Sequence, residues 1–393
     1  MTLSTLQKIH EALERRPEQI DEEKRNGKIV VGWVGYFIPE EIIYALGMIP
    51  IRLGKGGNEH LVELGARYIS SQNCAFIRSC MGMFVENTDP YLQRTDLLAF
   101  DNACMQVFRL GEVSEYISKK KVMFLGIPRK LFSQSSRTYF LEEMNHFTRK
   151  LEEVQGHTLD SDKLTKSIEL FQEIRRLTLD LYNSLITRDV PISWNEVNAV
   201  VHSGYYLDKK TYAILLHELI EEINSFSSLP SNCKKNVRII ISGSPIAPGD
   251  TKLNDIITQI HGTIVGDNLW SGRNMSFNMQ MKSPSIAGIA DAYLNRIIHH
   301  SLPCFDNELD NRVDNLIQTV RETQAQGVIY HTIRYCDSAT LKTTGLKECL
   351  KNEGIPLLEI HTEYSNSDLE AIRTRVEAFF EMIMATEEMG VLA

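Results

Sequence analysis

The chain has 393 residues, with 42 Lys and Arg against 51 Asp and Glu, 43% apolar and 24% charged residues. That balance excludes disordered and collagen-like chains and leaves length enough for two domains. A net charge of −9 without a basic stripe argues against nucleic acid as a partner, and no uncharged apolar run reaches the length of a membrane span.

The N-terminus through Lys28 is a charged amphipathic helix with no apolar signal core, so the expectation is a soluble cytoplasmic protein. Ile29 to Val34 reads as a strand. Pro39-Glu40-Glu41 opens a helix, with Pro and acid in its first turn, and Gly47 closes it. Strands follow at Met48 to Leu53, Leu97 to Phe100 and Val122 to Leu125, with a helix after Asn102. Residues 136–188 and 207–226 are helical by their three- and four-residue apolar spacing, and Leu229-Pro230-Ser231-Asn232 is a loop. A second α/β set begins at Val237 to Ser242 and continues with strands at Thr263 to Gly266, Gly327 to Ile333 and Pro356 to Ile360. The last helix runs from Ser367 toward Met389, with Ser367 and Glu370 spaced as a capping box. Short apolar runs alternating with amphipathic helices predict parallel sheets. The expected fold is α/β: two flavodoxin-like or Rossmann-like parallel-sheet domains, residues 1–135 and 229–393, joined by a helical connector at 136–228.

Seven cysteines stand at 74, 80, 104, 233, 304, 336 and 349. An odd number in a large, unexported chain argues against a disulfide framework, and no C-x-x-C pair occurs. In open parallel sheets ligands bind beyond the carboxyl ends of strands, where helices point their N-termini. Cys104 and Cys336 each follow a strand and precede a helix, and Cys74 ends a polar loop before another. Helix starts favour thiolate over thiol. Cys349 reads as core filler beside Leu346 and Leu350. Cys233 precedes its strand, Cys304 lies in a loop, and Cys80 faces away from Cys74. Three thiolates converging on a metal and scattered structural cysteines both remain open at this point, as does a Cys336–His331 pair.

At these same residues the sequence resembles the 2-hydroxyacyl-CoA dehydratase and benzoyl-CoA reductase family. The matching segments are Gly35-Tyr36-Phe37-Ile38-Pro39-Glu40-Glu41 through Pro50, Asn73-Cys74 with Arg78-Ser79, Asp101 to Cys104, Ile241 to Pro245, Gly327 to Asp337, and Gly354 to Ile360 with Arg373 to Phe379. The resemblance implies a [4Fe–4S] cluster held between the two domains by Cys74, Cys104 and Cys336, with one iron left without a protein ligand. It also implies one-electron ketyl chemistry on an acyl-CoA substrate, either dehydration of a 2-hydroxyacyl-CoA or reduction of an aromatic ring. The implied partners are an ATP-dependent activator protein, since no phosphate-binding Gly-x-x-x-x-Gly-Lys loop occurs here, and a related second subunit or another copy of the chain. A non-catalytic, cluster-carrying role is the alternative. Trp270 and Ser244 stand where relatives carry further cysteines, which argues against a double-cubane [8Fe–9S] centre, although Cys80 is available as an extra ligand. Around the cluster Tyr36, Arg78 and Arg273 are candidate substrate-binding residues, with Glu41 and His331 as candidate acid–base groups. Their plainer readings are a packed ring, a cap and a satisfied strand histidine.

Overall fold

The computed structural model describes residues 3–187, 190–227, 236–302, 310–340 and 343–388. Cys233, Cys304 and the loop expected at 229–232 lie outside them.

All eight expected strands form: β1 Val30–Val34, β2 Ile49–Arg52, β3 Leu97–Asp101, β4 Lys121–Leu125, β5 Arg238–Gly243, β6 Thr263–Asn268, β7 Gly327–Ile333 and β8 Leu357–Thr362. They make two four-stranded parallel sheets ordered β2-β1-β3-β4 and β6-β5-β7-β8. The two orders are one pattern used twice, the flavodoxin-type order in which the connection reverses beside the first strand. Both faces of each sheet are covered, which is why the strands read as unbroken apolar runs. Val31, Trp33, Leu97, Ala99 and Met123 face one core, while Val30, Val34, Leu98 and Phe100 face another. In the second sheet Ile239, Ile241 and Ile329 face one side, Ile240 and Val328 the other.

Helix Gln134–Gln155 lays Phe140, Met144, Phe147 and Leu151 on the first sheet. The N-terminal helix Ser4–Arg25 instead puts Leu3 and Ile9 against Leu216, Leu219 and Ile223 of helix Lys209–Asn224. Between β6 and β7, where no helix is expected above, Ile286–Asn295 and Arg312–Thr323 are helical, the second with Val313, Leu316, Ile317 and Val320 at helical spacing. The first of these is apolar nearly all round, so it carries little 3.6-residue contrast; it leaves the second sheet in sequence and packs Ile289, Ala290 and Tyr293 into the core of the first. The last helix begins at Leu369 without the expected box: the Ser367 hydroxyl pairs with that of Ser365 at 2.8 Å, and Glu370 lies 3.6 Å from Arg373. Cys349 is exposed, a correction to its reading as core filler. One step of about 100° round the helix separates it from Leu350, which is fully buried.

Candidate metal centre

Cys74 is the N-cap of helix Ala75–Glu86, and Cys104 is the N-cap of helix Met105–Ser118 directly after β3. Cys336 precedes the short helix Asp337–Thr340 just beyond β7. Since β3 and β7 hold the same place in the two sheet orders, Cys104 and Cys336 occupy matched positions in the two repeats. Cys74 is buried with Cys80, Ile333 and Tyr364 in one apolar cluster, and the half-buried Cys104 and Cys336 pack against it.

The three cysteines share one electrostatic neighbourhood. The Cys74 thiol is pushed well above its usual range, first by burial and then by the negative charge that Cys336 and Cys104 would carry, with the N–H of Ile77 opposing. Cys104 is pushed up to about 11, chiefly by burial, against the N–H of Val107. The helix-start preference for thiolate is therefore overridden for these two, because desolvation of a buried sulfur outweighs the helix terminus. Such thiols ionise when a cation arrives to compensate them. Among the described residues no group of three or more His, Cys, Asp or Glu is placed to hold a metal ion. A mononuclear site needs every sulfur about 2.3 Å from one centre. A cubane binds each thiolate to a different iron, so its ligands stand further apart, and a sulfur-only donor set suits it.

The surrounding loops are held by one carboxylate. Asp101, fully buried at the end of β3, accepts the backbone N–H of Tyr36 at 2.5 Å, of Phe37 at 2.8 Å and of Ala103 at 3.0 Å. It thereby fastens the turn after β1 to the turn carrying Cys104. Gly35 has φ +139°, and an added Cβ would overlap that carboxylate, so the close approach requires glycine. Gly243, at the matching end of β5, has φ +110°.

The Tyr36 hydroxyl feels all three cysteines and is raised by burial. Its ring lies 4.0 Å from that of His299 and 5.9 Å from that of Trp270, and the Arg52 guanidinium stands 5.3 Å from its centre. Tyr36, Trp270 and His299 are 6%, 1% and 5% exposed, so the three rings pack as one buried cluster. Behind them Arg296 bonds the Tyr36 carbonyl and sits among the rings of Phe37, Trp270 and Tyr293 at 4.3 to 4.7 Å.

The remaining candidate residues are engaged elsewhere. Glu41 is fully buried, ion-paired with Arg175 and hydrogen-bonded by the Tyr293 hydroxyl at 3.0 Å. With Glu40, Lys209 and Arg296 nearby, Arg175 and Tyr293 line a cleft of about 90 Å³. Arg78 donates to the Asn73 carbonyl at 2.9 Å and to Glu363, beyond β8, at 2.8 Å. Arg273 has its fork occupied by Thr319 and Glu322, both at 3.1 Å, and stands 4.2 Å from the Phe277 ring centre. His331 is buried, 2.6 Å from the Thr362 hydroxyl, and burial holds its ring down to about 4. Sequence reasoning missed Arg52, Arg296 and His299; no motif marks them, because their places are set by packing.

A family model described as 2-hydroxyglutaryl-CoA dehydratase, D-component, matches residues 35–383. The chain is 22% identical over 366 residues to the (R)-phenyllactyl-CoA dehydratase beta subunit of Clostridium sporogenes, covering 92% of this chain and 93% of that one. It is 21% identical over 356 residues to a benzoyl-CoA reductase subunit of Thauera aromatica, 90% of each chain. Over 367 residues it is 22% identical to the beta subunit of (R)-2-hydroxyglutaryl-CoA dehydratase from Acidaminococcus fermentans, 92% of this chain and 94% of that one.

Proposed function

Because the chain belongs to the 2-hydroxyglutaryl-CoA dehydratase D-component family, we propose that it is the iron–sulfur subunit of a 2-hydroxyacyl-CoA dehydratase-type lyase, with Cys74, Cys104 and Cys336 holding a [4Fe–4S] cluster. The observation that carries this reading is that the buried Cys74 and the half-buried Cys104 and Cys336 gather in and against one apolar cluster, the last two beyond the strand ends of the two sheets. When bound, such a group supplies one electron of low potential to a thioester carbonyl. The chain's own residues hold the surroundings. Asp101 fastens two of the loops through three backbone N–H groups. Tyr36, whose hydroxyl senses all three cysteines, is packed with Trp270 and His299 in a buried cluster, and a low local dielectric strengthens every charge interaction there.

A second reading is that this chain carries electrons beside a partner that binds the acyl-CoA. Two of the relatives are named beta subunits, which agrees with a paired assembly. The electron donor in either case is an ATP-hydrolysing activator protein. A benzoyl-CoA reductase-like role is distinguished by net electron uptake in an anaerobic assay with activator, where the lyase returns its electron.

Anaerobic purification followed by iron and sulfide counts tests the cofactor. We expect a [4Fe–4S] content for the parent chain, and near-complete loss of iron and of the brown absorbance in Cys74→Ser, Cys104→Ser and Cys336→Ser. Cys349→Ser, on an exposed helix face, keeps both. Full iron in any of the first three overturns that ligand, and an eightfold iron count restores the double-cubane centre with Cys80 as a ligand.

A further inference from the structure

Gln106 is the second residue of helix Met105–Ser118, next but one after Cys104. Its Oε1 accepts the backbone N–H of Cys74 at 2.8 Å, and its Nε2 donates to the carbonyl of Tyr335 at 2.8 Å. One amide on the Cys104 segment therefore ties it to the segments of Cys74 and Cys336, through partners 32 and 229 residues away along the chain. Tyr335 needs such a tie. It is not glycine, yet its φ is +66° and the residue is 43% exposed, so the turn that presents Cys336 rests on hydrogen bonds, from Arg334 N–H to the Thr362 carbonyl and from Cys336 N–H to the Ile333 carbonyl, both at 2.9 Å, besides that from Gln106. The Arg78–Glu363 pair beside Cys74 does not reach the Cys104 segment.

We propose that Gln106 is a positioning residue that sets the mutual spacing of Cys74, Cys104 and Cys336, an inference resting on the iron–sulfur reading given above. The role demands an amide of this length, with one acceptor and one donor on the same planar group. A glutamate keeps the shape and can accept from Cys74 but meets the Tyr335 carbonyl with a second oxygen. An asparagine keeps the amide but is one methylene short of the span.

The test uses the full chain with Gln106→Glu, Gln106→Asn and Gln106→Leu, and Arg109→Ala as a control on the exposed face. In the metal-free proteins, hydrogen exchange at residue 74 and over residues 334–338 is expected to speed up in all three Gln106 variants, with the overall melting temperature unchanged. In anaerobically loaded proteins, loss of iron to a chelator is expected to quicken on the order of tenfold for each hydrogen bond removed. The g-anisotropy of the reduced cluster, which a purely structural role would leave alone, is expected to change. If the parent takes up no iron, the iron–sulfur reading itself fails. If the parent loads and Gln106→Glu and Gln106→Leu exchange, release iron and resonate as it does, the positioning role alone is overturned. A variant that fails to fold by circular dichroism while Gln106→Glu folds and keeps parental release rates also overturns it.

Discussion

At the scale of single residues, burial decides the charge state more often than the local partner does. Asp250 shows this apart from the cysteines. It lies in the turn before helix Lys252–Gln259, against a cavity of about 240 Å³, and burial lifts its carboxyl to about 6 from its ordinary 3.8, although Lys252 pulls the other way. A carboxyl whose pKa is raised on folding binds its proton more tightly in the native state, so the native state is penalised once pH rises above both values. The penalty is absent below about 4, grows between 4 and 6, and is complete above 6. Partial exposure reduces it to roughly 2 kcal/mol. Asp250→Asn is therefore expected to be more stable than the parent by about that amount at pH 7. Urea unfolding of both proteins from pH 4 to 7 checks the sign, since the difference should vanish at the acid end.

At the scale of elements, helix ends separate sequence pattern from realised contact. Ser193 and Glu196 form a full capping box at the start of helix Trp194–Ser203, with Ser193 Oγ accepting from Glu196 N–H at 3.2 Å and Glu196 accepting from Ser193 N–H at 2.7 Å. Ser193→Ala is expected to cost about 1 kcal/mol, read as a lowered urea midpoint at unchanged slope. Ser367 and Glu370 have the same spacing and make no such box, since Asp368 beside them is drawn to Lys252 at 2.7 Å. The spacing was legible in both places; the competing partner, 116 residues away, was not.

At the scale of the molecule, the two sheets share packing and an ion pair. Residues of helix Ile286–Asn295 complete the core of the first sheet, and Arg78 on a helix of the first meets Glu363 beyond the last strand of the second. The pair is mostly buried, with side chains 10% and 21% exposed, so losing one partner leaves a poorly solvated charge. Glu363→Gln and Arg78→Met are each expected to cost about 2 kcal/mol, with the double variant costing clearly less than their sum. Additive losses in a double-mutant cycle would show that the latch carries no coupling.

The order of residues alone carried the eight strands, the repeated α/β pattern, the family motifs and the choice of Cys74, Cys104 and Cys336 as candidates, because periodicity and strand-end position are local properties of a chain. Packing decided the rest. It pushes the Cys74 thiol up, engages Arg78 and Arg273 inside the protein, packs Tyr36 against Trp270 and His299, and brings Gln106 to both of the other loops. Each of these depends on desolvation or on a partner far away in sequence, and neither quantity is defined until the two sheets meet.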